Sequence, residues 1–249
     1  MRYRATTHPA IESLYQSTCL CLHCNPGTFI MAASAITAAK NVLRKEIKQR
    51  IARLTFEEKH SQSAMVVHKV KYKNSERISV FLSMHDEIHT EGILEHIFKS
   101  NKKAFIPHYI GDMMEMVRLH SMEDYQQLPE TSWKIKQPPD EEKREDALET
   151  GGLDMVLVPG LAFTRRGLRL GRGRGYYDKY LSRCVEVTKK RPVLIGLCFY
   201  EQLCSRIPVT DDDYVLDKVF YDDKEETEMT KMRPFFEIFE LYYIEIFAK

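Results

Sequence analysis

The chain has no surplus of charge of either sign: 37 Lys and Arg face 36 Asp and Glu, for a formal net charge of +1. A general nucleic-acid binder carries a basic excess, so any cluster of arginines here has a local purpose. No apolar run approaches the length needed to span a bilayer. The first thirty residues hold no apolar core of the signal-peptide type. Two familiar nucleotide fingerprints are also missing: neither G-x-x-x-x-G-K-[ST] nor G-x-G-x-x-G occurs.

What remains is ordinary for a globular protein: 249 residues, 43% apolar and 29% charged. That length supports one large or two small domains and a sizeable core. Of the six cysteines, Cys184, Cys198 and Cys204 lie among apolar segments and read as buried free thiols of a reducing compartment. Cys19, Cys21 and Cys24 stand beside His23, but no second half of a zinc site follows them. Residues 1–30 lack periodicity and are expected to be a disordered extension, with the compact protein starting near Met31. Arg2, Arg4, the hydroxyls and the lone acid Glu12 resemble a transit peptide. If they act as one, the destination is mitochondrial; otherwise the protein is expected in the cytoplasm.

Leu43, Ile47, Ile51 and Leu54 recur at helical spacing and predict a helix from Ala38, with Lys40, Arg44 and Lys48 on another face. Thr55-Phe-Glu-Glu58 is a capping-box pattern opening a second helix to about Val70. Arg77–Ser83 alternates like a strand, Thr90 caps a helix through Ile93, Leu94, Ile97 and Phe98, and Lys103–Pro107 reads as a short strand. A third strand is expected over Met113–Leu119, followed by a short helix capped by Ser121. The polar, proline-bearing stretch 129–150 reads as a surface crossing. Strand 153–158, a helix from about Gly175 to Glu186 and strand 192–198 then form a right-handed βαβ unit. The alternation predicts a three-layer, Rossmann-like α/β domain: a mostly parallel sheet with helices on both faces, over residues 31–222. Residues 223–249 are an extension of unknown structure. Their segment Met232–Lys249 mixes Phe, Tyr and Glu in a pattern that fits neither helix nor strand.

The most informative run is Gly171-Arg-Gly-Arg-Gly-Tyr-Tyr-Asp178. Glycines at alternate positions let the backbone approach a bulky anion. The arginines between them offer planar donor forks that match phosphate oxygens. A helix opening at the loop's end adds free N–H groups and its positive dipole end, and Asp178 supplies a hard oxygen for magnesium. The run reads as a nucleotide site, with a flexible basic turn or an RNA-contacting strip as the plainer alternatives.

Phe163-Thr-Arg-Arg-Gly167-Leu-Arg-Leu-Gly-Arg-Gly-Arg-Gly-Tyr-Tyr-Asp178 resembles the signature of the 5-formyltetrahydrofolate cyclo-ligase (methenyltetrahydrofolate synthetase) family. Supporting blocks resemble it too: Lys40-x-x-x-Arg44-x-x-x-Lys48, Phe81-Leu82 through Glu87-Ile-His-Thr90, Ile207-Pro-Val and Asp213-x-x-x-Asp217. Together they cover about Ala38 to Tyr221.

The resemblance implies an enzyme of one-carbon folate metabolism, a ring-forming ligase. It would use ATP and magnesium to close 5-formyltetrahydrofolate into 5,10-methenyltetrahydrofolate, releasing ADP and phosphate through phosphorylation of the formyl oxygen. The implied ATP-binding set is Lys40, Arg44, Lys48 and the run Arg169, Leu170, Gly171, Arg172, Gly173, Arg174, Gly175, Tyr176 and Tyr177. Asp178 and Asp213 would hold magnesium. Leu82, Glu87, Trp133 and Tyr176 would contact the folate, with Glu87 accepting hydrogen bonds from the pterin. Arg172, Arg174 and Tyr176 would be the catalytic residues. The implied partner is a small-molecule folate, with no nucleic acid, no membrane and a monomeric enzyme.

Plainer roles stand beside each assignment. The Lys40 face would serve as a solvated helix surface, Glu87 as a dipole partner of the next helix and Asp213 as a turn residue, with Asp217 in reserve for the metal. Trp133 would be a lid over apolar surface and Tyr176 core packing. The competing function is a non-catalytic RNA-binding relative that uses the Arg-Gly loop. A further one is another small-molecule enzyme on a similar scaffold.

Overall fold

A computed structural model describes residues 26–70, 74–131, 135–210 and 212–223. The first element, α1, spans Pro26–Ala52, and α2 spans Phe56–Lys69. Strand β1 (Arg77–Ser79) is followed by α3 (Glu91–Lys99), β2 (Lys103–Ile110), β3 (Met113–Leu119) and the short α4 (Met122–Gln127). Then come β4 (Met155–Val158), the small pair β5 (Ala162–Phe163) and β6 (Arg169–Leu170), helix α5 (Tyr176–Thr188), β7 (Val193–Leu197) and β8 (Lys218–Phe220).

The six-stranded sheet runs β3-β2-β1-β4-β7-β8, and β5 pairs with β6 separately. All neighbours in the large sheet are parallel except β2 and β3. From β1 the chain builds outward to β2, and from β4 it builds outward the other way to β7 and β8. Strand order therefore reverses between β1 and β4, the place where open α/β sheets bind their ligands.

Alternate residues of each strand face opposite layers. Ile78, Ala104, Ile106, Leu157 and Ile195 pack in one cluster with Leu43, Ile47 and Ile51 of α1, Val66 of α2 and Ile93, Leu94 and Ile97 of α3. Their neighbours Phe105, Val156 and Leu194 pack on the other face with Tyr177, Tyr180, Leu181 and Cys184 of α5. The three-layer expectation holds. A fully buried side chain such as Ile47 contributes about 1.5–3 kcal/mol relative to exposure, so the α1 stripe fixes the helix firmly across the sheet.

The structure redraws several boundaries. Helix α1 begins at Pro26, inside the segment expected to be an extension, rather than at Ala38. Residues 1–25 and 224–249 lie outside the described residues, and with them the Cys19-Cys21-Cys24 cluster, His23 and the Phe/Tyr-rich tail. The Thr55 capping box is present: Thr55 Oγ1 accepts from Glu58 N at 3.2 Å and Glu58 Oε2 accepts from Thr55 N at 2.9 Å.

Thr90 precedes α3 as expected, but its hydroxyl does not cap it. It donates instead to the Phe81 carbonyl at 2.7 Å. That carbonyl is thereby taken out of sheet pairing, which helps to explain why β1 stops at Ser79 rather than Ser83. Conversely, β2 runs past Pro107 to Ile110. Pro107 lacks an N–H, but β1 pairs only with Lys103–Phe105, so at Pro107 the strand has only β3 beside it. The stretch 129–150 is more than a surface crossing. Arg118 N donates to Glu145 O at 2.9 Å and Ala147 N to Met116 O at 2.8 Å, and Ala147 and Leu148 are buried. This segment covers the open edge of β3. Cys184 and Cys198 are buried and Cys204 half-buried, and all three are free thiols as expected.

Candidate active site

Three loops at the carboxyl ends of the strands enclose a cleft of about 500 Å³. Phe81, Leu82, Met84 and Glu87 come from the turn after β1, and Pro159 and Gly160 follow β4. The Gly-rich loop from Gly171 to Gly175 leads from β6 into α5 and closes one side, and Lys40 and Arg44 of α1 close another.

The Gly-rich loop is held from several directions. Gly175, in the left-handed region at φ 70°, directs the chain into α5. Arg44 Nε donates to the Gly171 carbonyl at 2.9 Å. A Cβ on Gly173 would meet the Arg44 guanidinium at 3.5 Å, so the arginine lies flat against the loop. Lys40 Nζ sits 2.6 Å from Asp213 Oδ2, which also accepts from Thr210 N at 2.7 Å. Partial burial would push the Asp213 carboxyl up, but Lys40 and Thr210 outweigh it and hold it below the ordinary carboxylate range.

The loop's arginines occupy three different situations. Arg169 is buried, and its Nη2 donates to Asp178 Oδ1 at 2.8 Å and Oδ2 at 3.0 Å. Arg172 reaches across the cleft to Asp86 Oδ1 at 2.6 Å and Glu87 Oε1 at 3.0 Å. Arg174 lines the cleft and is exposed, without an ion pair to any described residue. It is therefore the arginine most readily offered to an incoming anion.

At the opposite end Glu87 is only 6% exposed. Burial pushes its carboxyl above the ordinary range, against the pull of Arg172 and of the Met84 N–H, which donates to Oε2 at 3.1 Å. Aromatic rings form the adjoining wall. Tyr109 and Tyr176 lie 5.0 Å apart at 59°, and the Tyr176 hydroxyl donates to the Gly111 carbonyl at 2.8 Å. Burial and the nearby Glu87 carboxylate both push the Tyr109 phenol up, so it remains a neutral hydrogen-bonding group. Tyr177 is buried beneath the loop.

Most of the residues singled out in the sequence thus meet in one cleft: Lys40, Arg44, Leu82, Glu87, Asp178, Asp213 and the run from Arg169 to Tyr177 all line it. Lys48 does not. It is exposed on α1 and outside the lining, because each four-residue step along a helix advances about 6 Å and two steps from Lys40 carry it past the loop. Trp133 lies outside the described residues. Asp217 is held elsewhere, by Arg191 at 2.7 Å. Sequence reasoning missed Asp86, Tyr109 and Pro159–Gly160. Asp86 stands beside Glu87 with no motif of its own, and Tyr109 lies beyond the short strand expected over Lys103–Pro107.

The arrangement fits a nucleotide and, with it, magnesium. The loop glycines, Lys40, Arg44 and Arg174 converge where phosphates would be cradled. Among the described residues no cluster of three metal-ligating side chains exists. Magnesium, however, is commonly held by one or two carboxylates together with phosphates and water. The hydrogen bonds that Lys40 and Thr210 give to Asp213 all fall on Oδ2 rather than Oδ1, and both oxygens of Asp178 face a single arginine nitrogen. Each carboxylate retains lone pairs for a metal. Among the described residues no helix is long and apolar enough to cross a membrane.

Comparison with known proteins converges on one family. The sequence model of the 5-formyltetrahydrofolate cyclo-ligase family matches residues 36–222. The chain is 49% identical over 199 residues to a mouse (Mus musculus) 5-formyltetrahydrofolate cyclo-ligase, covering 78% of this chain and 98% of the mouse protein. It is 36% identical over 196 residues to a probable 5-formyltetrahydrofolate cyclo-ligase of Caenorhabditis elegans, covering 76% and 95%. Among solved structures, a 5,10-methenyltetrahydrofolate synthetase of Aquifex aeolicus superimposes with a TM-score of 0.58 at 25% identity, over 73% of this chain and 88% of that one.

Proposed function

The chain belongs to the 5-formyltetrahydrofolate cyclo-ligase family, and on that premise we propose that it closes 5-formyltetrahydrofolate to 5,10-methenyltetrahydrofolate with consumption of magnesium-ATP. ADP and phosphate are the other products. One observation carries the reading. Arg172, from the Gly-rich loop, touches Glu87, the enclosed carboxylate at the other end of the cleft, at 3.0 Å. An anion cradle and an acceptor suited to a pterin therefore share one cavity, as a reaction that brings a phosphoryl group to a folate requires.

Bound magnesium-ATP supplies the phosphoryl group that turns the formyl oxygen, otherwise a poor leaving group, into part of a phosphate. The chain's own residues do the rest. Lys40, Arg44 and the backbone of Gly171, Gly173 and Gly175 anchor the phosphates. Arg174 and Arg172 neutralise charge that grows during transfer, and donors aimed at such charge act on the barrier itself. Asp178 and Asp213 would hold the metal. Glu87 fixes the pterin by accepting its N–H groups, while Leu82, Tyr109 and Tyr176 form the apolar wall that orients the ring and excludes water. With the pterin fixed, the second folate nitrogen is positioned to attack the activated carbon.

An RNA-contacting strip is poorly served by the same loop. Arg169 is buried on Asp178 and Arg172 is bridged to two acids, which leaves Arg174 as the only arginine of the three without an acidic partner among the described residues. We propose a cytoplasmic, monomeric enzyme acting on small molecules.

The test is direct. Purified protein is mixed with 5-formyltetrahydrofolate, and the methenyl chromophore is followed with and without magnesium-ATP. Product only when ATP and magnesium are both present supports the reading. No product from folded protein refutes it, and equal product without ATP refutes the phosphoryl activation.

A further inference from the structure

Arg172 joins two loops that have separate tasks in the proposed function, on which this inference rests. Its Nη2 lies 2.6 Å from Asp86 Oδ1 and 3.0 Å from Glu87 Oε1, and its Nε lies 3.2 Å from the same Glu87 oxygen. The guanidinium comes from the anion-binding loop, and both carboxylates come from the turn after β1. Asp86 is 16% exposed at its side chain and Glu87 is 8% exposed. The Arg172 side chain is 31% exposed and its contact with Asp86 reaches the surface, so the shielded end of the pairing is Glu87, where a charge–charge contact outweighs its surface counterpart.

This contact sets a conflict. A guanidinium flanked by two acids has most of its charge offset, so it offers a phosphate little. Moving it off Glu87 alone would strand an enclosed carboxylate, which is strongly disfavoured. Burial already pushes that carboxyl towards its protonated form even with Arg172 in place. A phosphate is thus a weak competitor for Arg172 while the chain supplies the only donors to Glu87. A pterin brings N–H donors of its own. Once they occupy Glu87, the arginine is held only by Asp86, at the rim of the cleft, and its charge becomes available to the phosphates.

We propose that the Asp86–Arg172–Glu87 bridge is an interlock: a folate ring seated on Glu87 releases Arg172 to the nucleotide, so the two ligands bind with positive coupling. Asp86 is a positioning residue in this scheme. It touches neither ligand, and through Arg172 it sets how firmly the loop is restrained when folate is absent.

The experiment is calorimetric titration of the whole protein with the magnesium complex of a β,γ-imido ATP analogue, with and without tetrahydrofolate. Tetrahydrofolate has the ring but no formyl group, so no turnover intervenes. Tetrahydrofolate is expected to tighten nucleotide binding at least about five-fold, and the nucleotide to tighten tetrahydrofolate binding by the same factor, since coupling is reciprocal. Asp86→Asn, an isosteric change on a turn, is expected to tighten nucleotide binding in the absence of folate. Arg172→Met should abolish both the folate effect and the Asp86→Asn effect, which a merely structural role for Asp86 would not produce. If Arg172→Met binds too weakly to titrate, Arg172→Lys replaces it; a single ammonium cannot reproduce the fork, and the coupling should shrink. Thermal unfolding of each variant confirms that it is folded.

Unchanged nucleotide affinity with and without tetrahydrofolate overturns the interlock. So does an Asp86→Asn effect that persists undiminished in the Arg172→Met background, because it would be a general charge effect. Wild-type protein that binds both ligands independently refutes the interlock alone. Wild-type protein that binds neither refutes the proposed function as well.

Discussion

Arg169 and Asp178 form a two-contact ion pair, with Nη2 2.8 Å and 3.0 Å from the two carboxylate oxygens, at the point where the Gly-rich loop enters α5. The pair closes the loop upon itself, since Arg169 stands before the glycines and Asp178 after them. Asp178 is thus not a simple partner of the helix dipole. The proposed metal ligand also anchors a buried arginine.

That double role sets the first expectation. Asp178→Asn should raise the magnesium concentration needed for half-maximal activity, and it should also destabilise the protein by about 1.5–3 kcal/mol, the range for hydrogen bonds to charged groups. Magnesium titration and denaturant unfolding of the same variant separate the two effects. Superimposable magnesium curves with lowered stability would leave Asp178 an anchor only and pass the metal to Asp213.

Glu87 should trade stability for function. Its folded carboxyl is raised by burial above an unfolded value of about 4.3. Protonation therefore favours folding, and the stability it lends is present in acid and is lost as pH rises through the folded value. Glu87→Gln cannot titrate. Unfolding measured across this range should show the variant gaining on the wild type as pH increases, while its folate binding is lost. Parallel stability curves would contradict the assigned burial effect.

Gly167 bears on the frame rather than the chemistry. It has φ +89°, and a Cβ there would collide with the Leu216 carbonyl, whose own N–H donates to Gly167 O at 2.9 Å. Gly167→Ala should cost at least about 1–3 kcal/mol from the backbone conformation alone. A melting temperature equal to that of the wild type would show that the turn before β6 can relax at little cost.

Residues 1–30 should be dispensable for catalysis, and α1 gives the physical reason. Among the described side chains of α1, Ala39 is the first to be buried and Lys40 the first to reach the cleft. A chain starting at Met31 keeps the part of α1 that carries Ala39, Lys40 and Arg44 and should keep full activity. Lost activity with intact folding would bring the Cys19-Cys21-Cys24 segment back into consideration.

Much of this was legible in the sequence because local patterns carry it. The Leu43–Ile47–Ile51 stripe, the Thr55 box and the all-apolar Met155–Val158 each state their element within a few residues, and the Gly-Arg loop states its chemistry. What was not legible depends on tertiary partners. Thr90 looks like a cap, but its hydroxyl is spent on Phe81 O, a contact that exists only once β1 and α3 are placed. Pro107 looks like a strand end, yet the open side of β2 tolerates it. Arg172 looks like a free clamp, while Asp86 and Glu87, far away in sequence, already hold it. Lys48 shares the spacing of Lys40 and Arg44, but the length of a helical turn carries it outside the cleft lining.

The central claim is that the chain's cleft brings a phosphoryl group to the formyl oxygen. The fate of that oxygen tests it most directly. 5-Formyltetrahydrofolate labelled with oxygen-18 in the formyl group is converted with unlabelled ATP, and the inorganic phosphate is analysed by mass spectrometry. The account predicts one labelled oxygen in each phosphate formed, in step with methenyl product. Label that appears in water while the phosphate stays unlabelled would contradict it.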